Sequence, residues 1–172
     1  MSGPMQRIAN RVRLAIGRAV LGAVNDAAKL QAVQVTLGAD VVRDDAEHFQ
    51  HYGFTSVPLP GAEGIGLAVG GSTDHLVVIN IDDRRFRKKG LAEGEVCIYT
   101  RWGDHILLRE GEIVIKHATK VTVDAALVAI TGNLTVGGTV VATGEVTGAG
   151  KVLSTHVHGG VQNGPSNTGA PV

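Results

Sequence analysis

Glycines fall at positions 132, 138, 144 and 150, a strict interval of six, and two residues after each comes Leu134, Val140, Val146 or Val152. On an extended chain, side chains alternate between two faces. Six is even, so all eight positions share one face. The other face reads Thr131, Asn133, Thr135, Gly137, Thr139, Val141, Thr143, Glu145 and Thr147. An apolar stripe one side chain wide has nothing in its own repeat to bury it, and such units need neighbours. A single-chain hexapeptide coil takes about three hexads per turn, so this segment would make barely two turns. Three chains wound about a common axis solve the problem instead, each supplying one wall. The repeat therefore predicts an intertwined homotrimeric β-helix whose interior tapers toward the C-terminus.

Upstream, the apolar face lies on odd positions, Ile113, Ile115, Val121 and Val123. A bulge or turn between residues 124 and 128 is expected where the parity changes. The uncharged run Ala125 to Gly144 is 20 residues long, enough to cross a bilayer. Its Asn133, four threonines and four glycines read as strand rather than as a membrane helix.

The same register extends into "STHVHGG". His156 falls where the next glycine would stand, and His158 where the next apolar residue would. Both are then inward. Around a three-fold axis, two histidines per chain become six imidazoles. Six nitrogens suit octahedral iron or nickel rather than a tetrahedral structural zinc. Two imidazoles from one chain are too few for a usual site, so other copies must complete it. Such a site would leave no open position for substrate.

Cys97 is the only cysteine, so no disulfide framework exists within the chain, which fits synthesis in a reducing cytoplasm. The 16 basic and 16 acidic side chains balance, which argues against bulk electrostatic binding of nucleic acid. Aromatic residues are only 3%, so the core must be built from small aliphatic contacts. Arg7, Arg11, Arg13 and Arg18 interrupt the N-terminal apolar residues, which removes the clean apolar region of a signal peptide.

Met5, Ile8, Val12, Ile16 and Val20 recur at helical spacing, so residues 5–21 are expected to form a packing helix within an N-terminal arm, residues 1–28. Five short runs follow with turn punctuation: 29–37, 64–71, 74–81, 95–101 and 105–110. Five strands in that length suit a small barrel of OB type over residues 29–110. The trimeric β-helix is assigned to residues 111–155 and a metal-binding tip to residues 156–172.

Two other clusters were candidates. Asp44, Asp45, Glu47, His48 and His51 could form a carboxylate–histidine site. No third partner that would orient the histidines is visible there. The run "DDRRFRKK", residues 82–89, reads as a solvated loop with opposite charges in exchange, and otherwise as a contact with a neighbouring subunit. No phosphate-binding glycine loop and no selected nucleophile triad is present.

Three stretches in order, "HFQHYGFTSVPLPGAEG" (48–64), "DDRRFRKKGLAEGEVCIYTRWGDHILL" (82–108) and the glycine-stepped segment with "HVHGG", resemble the central spike proteins of Mu-like contractile-tailed phages. The resemblance covers residues 40 to 172. It implies an all-β chain, an OB-fold-like barrel followed by a homotrimeric β-helix spike. It implies one tip iron per trimer, held by His156 and His158 of three chains, with calcium and chloride ions on the axis. The implied role is structural, not enzymatic: a spike in the virion's tail baseplate that plugs the tail tube, docks on a hub protein through its barrel end and pierces the host outer membrane. A small metal-dependent hydrolase and a sugar-binding barrel module are the alternatives. Oligomeric state separates them, because only the spike requires a trimer.

Overall fold

A computed structural model describes residues 15–38, 41–72 and 74–160, together with Met5, Val12 and Gly164. Ile8, most of the expected N-terminal helix and nearly all of the tail beyond Gly160 lie outside the described residues. The chain divides into two units, residues 1–122 and 123–172.

The first unit holds a closed five-stranded barrel. Its strands are β1 (Ile16–Asn25), β2 (Ala32–Leu37), β3 (Val41–Phe49), β4 (Glu63–Ala68) and β5 (Leu76–Asp82). They follow the order β1-β2-β3-β5-β4, and β4 returns to β1. All pairs are antiparallel except β3 with β5, joined through Glu47↔Val77, His48↔Val78 and Phe49↔Ile79. A closed barrel leaves no free sheet edge, which removes a route to edge-to-edge aggregation.

The core follows from alternation. Val33, Val35 and Leu37 are buried on β2, and their neighbours Gln34 and Thr36 are not. Ala19 and Leu21 do the same on β1, and Leu76 and Val78 on β5. Among the described residues no Phe, Tyr or Trp belongs to this core. It is closed by small residues instead: Gly64 and Gly66 on β4 bring their backbone against Val78, Ile81, Leu37 and Leu76. Fully burying each valine is worth about 1.5–3 kcal/mol.

Two expectations about the barrel are corrected. Ile16 and Val20 lie on strand β1, not on a helix reaching residue 21. Their spacing of four is compatible with both periods, and Ala19 and Leu21 settle the matter by burying in alternation. Residues 95–101 and 105–110 are strands, as expected, but they sit outside the barrel. β6 (Val96–Tyr99), β7 (His105–Arg109) and β8 (Glu112–Lys116) form a separate three-stranded antiparallel sheet. The barrel takes β1 and β3 in their place. The β7–β8 turn is Glu110-Gly111, and Gly111 adopts φ of 83°, a conformation open to glycine.

Among the described residues, 117–145 belong to no strand, and Val146 meets Leu153 across the hairpin that follows. The uncharged run expected to be strand is therefore unpaired here, because a strand needs a partner for its backbone groups. The chain next folds at β9 (Thr147–Gly148) and β10 (Lys151–Val152), an antiparallel hairpin with Gly148↔Lys151 and Thr147↔Val152.

Candidate metal centre

The hairpin changes the register on which the tip histidines were placed. Cross-strand partners point to one face, so an even position before the turn shares its face with an odd one after it. Thr147 faces with Val152, and Leu153, whose amide donates 2.8 Å to the Val146 carbonyl, stands opposite Val146. The apolar stripe thus passes from Val146 to Leu153, not to Val152. An unbroken strand from residue 132 to residue 158 is not what the chain forms, so parity alone does not make His156 and His158 inward.

What brings the histidines together is local. The turn at Ala149 and Gly150 has φ of 49° and 75°, both positive, as a two-residue type I′ hairpin turn requires. The Ser154 hydroxyl lies 2.7 Å from each carboxylate oxygen of Glu145 and clasps the hairpin's open end. Beyond it, the rings of His156 and His158 stand 5.0 Å apart, edge to face at 78°. Nδ1–H of His156 donates 2.8 Å to the Leu153 carbonyl. That bond fixes the tautomer and leaves Nε2 with its lone pair outward, the arrangement that outer-shell hydrogen bonds impose on metal-ligating histidines. Both rings are exposed.

The donor set fits a shared ion. Two imidazoles cis on one metal, at metal–nitrogen distances of about 2.1 Å, would have ring centres roughly 5 Å apart. Among the described residues no third histidine, cysteine or carboxylate joins them as a ligand group.

The other candidate residues do not converge. Asp44 accepts 2.6 Å from Gln34 Nε2, and Glu47 lies 3.9 Å from His75. His48 is buried at the barrel end, while His51 is exposed past the end of β3. On a strand, a spacing of three puts side chains on opposite faces, so the proximity a helix would give is lost. Nδ1–H of His48 donates 2.6 Å to Gln31 Oε1, and Gln31 Nε2 donates to Asp26 Oδ1 at 2.6 Å and the Ser56 carbonyl at 3.0 Å. Gln50 binds Ser56 through both ends of its amide. This network ties the β3–β4 connection to the barrel, and the sequence reading missed it because Gln31 and Gln50 carry no motif.

The charge run pairs as expected of a solvated loop. Arg85 bonds Asp83 at 2.6 Å, and its guanidinium holds that carboxyl below the usual range. Arg84 and Arg18 both reach Glu63 at 3.0 Å.

A family model described as "Bacteriophage Mu Gp45, N-terminal" matches residues 18–85, which run from within β1 to just past β5. A second, described as "GpV Apex motif", matches residues 152–172 and so contains both tip histidines. The baseplate puncturing device gp45 of Escherichia phage Mu is 38% identical over 132 residues, covering 72% of this chain and 67% of that protein. The Mu-like prophage FluMu protein gp45 of Haemophilus influenzae is 36% identical over 146 residues, covering 77% and 80% respectively.

Proposed function

This chain belongs to the family of the phage Mu gp45 baseplate proteins, and from that membership we propose that three copies form the spike at the centre of a contractile tail's baseplate. The spike closes the tail tube, seats on a hub protein through its barrel end, and pierces the host outer membrane when the tail contracts. It is a mechanical component of the virion, not an enzyme. The observation that carries this reading is the glycine-stepped segment: residues 117–145 hold a periodic apolar stripe and, among the described residues, find no strand partner. Partners of identical period supply both the backbone pairing and the burial.

The barrel is read as an OB-type domain, which its strand order and lone parallel pair support. The segment after β8 is read as the trimeric β-helix, and residues 156–172 as the metal-bound tip. His156 and His158 of three chains would hold one iron ion by six nitrogens. A bound ion would cross-link three chain ends that otherwise fray. The chain's own part is to hold the rings: the Leu153 carbonyl orients His156, and the Glu145–Ser154 clasp fixes the hairpin before it.

A hydrolase or sugar-binding module gains no support from the geometry, since the 44–51 residues lie along β3 and its end, face separate partners and form no ligand group among the described residues. The test is the mass of the native particle by light scattering with elemental analysis. A trimer with one iron per three chains is expected, and His156→Ala with His158→Ala should lose the metal. A monomer, or one metal per chain, would overturn the reading.

A further inference from the structure

Among the described residues, four histidines hydrogen-bond through Nδ1, and one of them does so in the opposite sense. His48, His105 and His156 each face an oxygen that only accepts: the Gln31 side-chain oxygen at 2.6 Å, the Gly103 carbonyl at 2.9 Å and the Leu153 carbonyl at 2.8 Å. Their Nδ1 carries the proton, and a second proton on Nε2 leaves those bonds in place. His117 is the reverse. Its Nδ1 lies 3.1 Å from the Thr119 amide and 3.1 Å from the Lys120 amide. A backbone N–H can only donate, so Nδ1 must accept and the ring proton sits on Nε2. The Thr119 hydroxyl donates to the same nitrogen at 3.2 Å.

The place is the end of β8. β7 begins at His105, which pairs with Lys116, so the chain past Lys116 has no further residue of β7 to pair with. It bends at Ala118 and Thr119, and the His117 ring takes the two amides that follow. Asn and Asp oxygens make the same short-range contact in turns. An imidazole makes it with a group that titrates near neutral pH. We propose that His117 is a proton-sensitive latch: unprotonated, it holds the 118–120 bend at the exit from the three-stranded sheet, and a proton on Nδ1 turns its acceptor into a donor and releases both amides. Every contact of the latch lies within one chain, so it does not depend on how many copies assemble. The charged neighbours act in opposite senses. An Asp104 carboxylate oxygen of the β6–β7 turn stands 3.8 Å from Nε2 and favours the charged ring. Lys116 and Lys120 flank His117 along the chain and oppose it. His105, across from Lys116, opposes it only once it is itself charged. Arg101 of the same turn lies over the Trp102 ring. Because the latch needs a neutral ring, acid opens it and a return to neutral pH closes it.

The experiment uses the full chain and follows it by heteronuclear NMR from about pH 8 to about pH 5, across the range of free histidine. At the alkaline end the His117 ring should show a bare Nδ1 and a protonated Nε2. On acidification, its charging should coincide with loss of hydrogen-exchange protection at the Thr119 and Lys120 amides, each compared with the intrinsic rate at that pH. His117→Asn keeps an acceptor for the same amides and should hold their protection throughout, whereas His117→Ala should lack it at every pH. Asp104→Asn removes the charge that favours the imidazolium and should move the opening to lower pH. Circular dichroism checks that the variants fold, and the wild-type ring answers the question without them. A proton on Nδ1 at the alkaline end would overturn the latch. So would a ring that charges with both amides undisturbed, or one that stays neutral to the acid end. A loss of protection in His117→Asn that matches wild type would assign the effect to another group and equally overturn it.

Discussion

Nδ1–H of His48 donates a 2.6 Å hydrogen bond to the side-chain oxygen of Gln31, and both residues are buried where β2 and β3 meet the β3–β4 connection. Burial pushes the imidazole below its ordinary 6.5. The unfolded chain takes up this proton near 6.5 and the folded chain resists it, so the unfolded state binds more protons in the window below. The stability is complete above about pH 6.5 and is lost as pH falls through the lowered native value. Thermal unfolding should show a melting temperature that declines from about pH 7 toward pH 5, with a shallower decline in His48→Asn. Equal slopes for the two proteins would remove His48 as the cause.

Gly64 and Gly66 are not equivalent. A Cβ at Gly64 would stand 2.9 Å from Ile81 Cγ1, 3.1 Å from Val78 Cγ1 and 3.2 Å from the Ile79 carbonyl. At Gly66 the tightest neighbour is Leu37 Cδ2 at 2.9 Å, the end of a side chain that can rotate. Gly64→Ala should cost about 1–3 kcal/mol through overpacking, and Gly66→Ala less. Urea midpoints of the two variants check the order, and a larger loss at Gly66 would contradict it.

Ala149 holds φ of 49° in the β9–β10 turn, a left-handed conformation that costs an L-residue about 1–2 kcal/mol. Asparagine tolerates it, and Asn-Gly is the favoured pair for this turn. Ala149→Asn should slow hydrogen exchange at the Leu153 amide, which bonds the Val146 carbonyl across the hairpin. Faster exchange in the variant would mean that this turn does not govern the hairpin.

The Tyr99 hydroxyl donates 3.4 Å to Asp82 Oδ1, linking β6 to the end of β5. Desolvation first, and the Asp82 charge next, raise its ionisation above the ordinary 10.0. A raised value means the folded chain keeps a proton that the unfolded chain gives up. The contribution is therefore whole below about pH 10 and is lost as pH rises through the raised value. Ultraviolet titration of wild type against Tyr99→Phe should show the late-ionising tyrosine vanish. An unchanged titration curve would reject the assignment.

On β2 the reading from sequence matched the structure. Val33, Val35 and Leu37 alternate with polar neighbours and form the barrel wall. Ile16 and Val20 were ambiguous, because a spacing of four also keeps one face of a strand. β3 was hidden for a different reason: its "RDDAEHF" is polar, and only Ala46 and His48 turn inward. The His48–Gln31 network was invisible, since it joins residues 17 apart through amides that occur anywhere.

The sequence by itself determined the local periods: the alternation in β2, the hexad of glycines, the pairing of His156 with His158, and the lack of anything within one chain to bury the stripe. These are properties of neighbours along the backbone, set by the geometry of extended chains. Only the tertiary structure decided which strands close the barrel and which form the separate sheet, because strand pairing depends on contacts distant in sequence. It also set the register of the β9–β10 hairpin. A single tight turn at Ala149 and Gly150 exchanges the two faces of the strand, and no repeat counted along the chain can register a reversal of its direction.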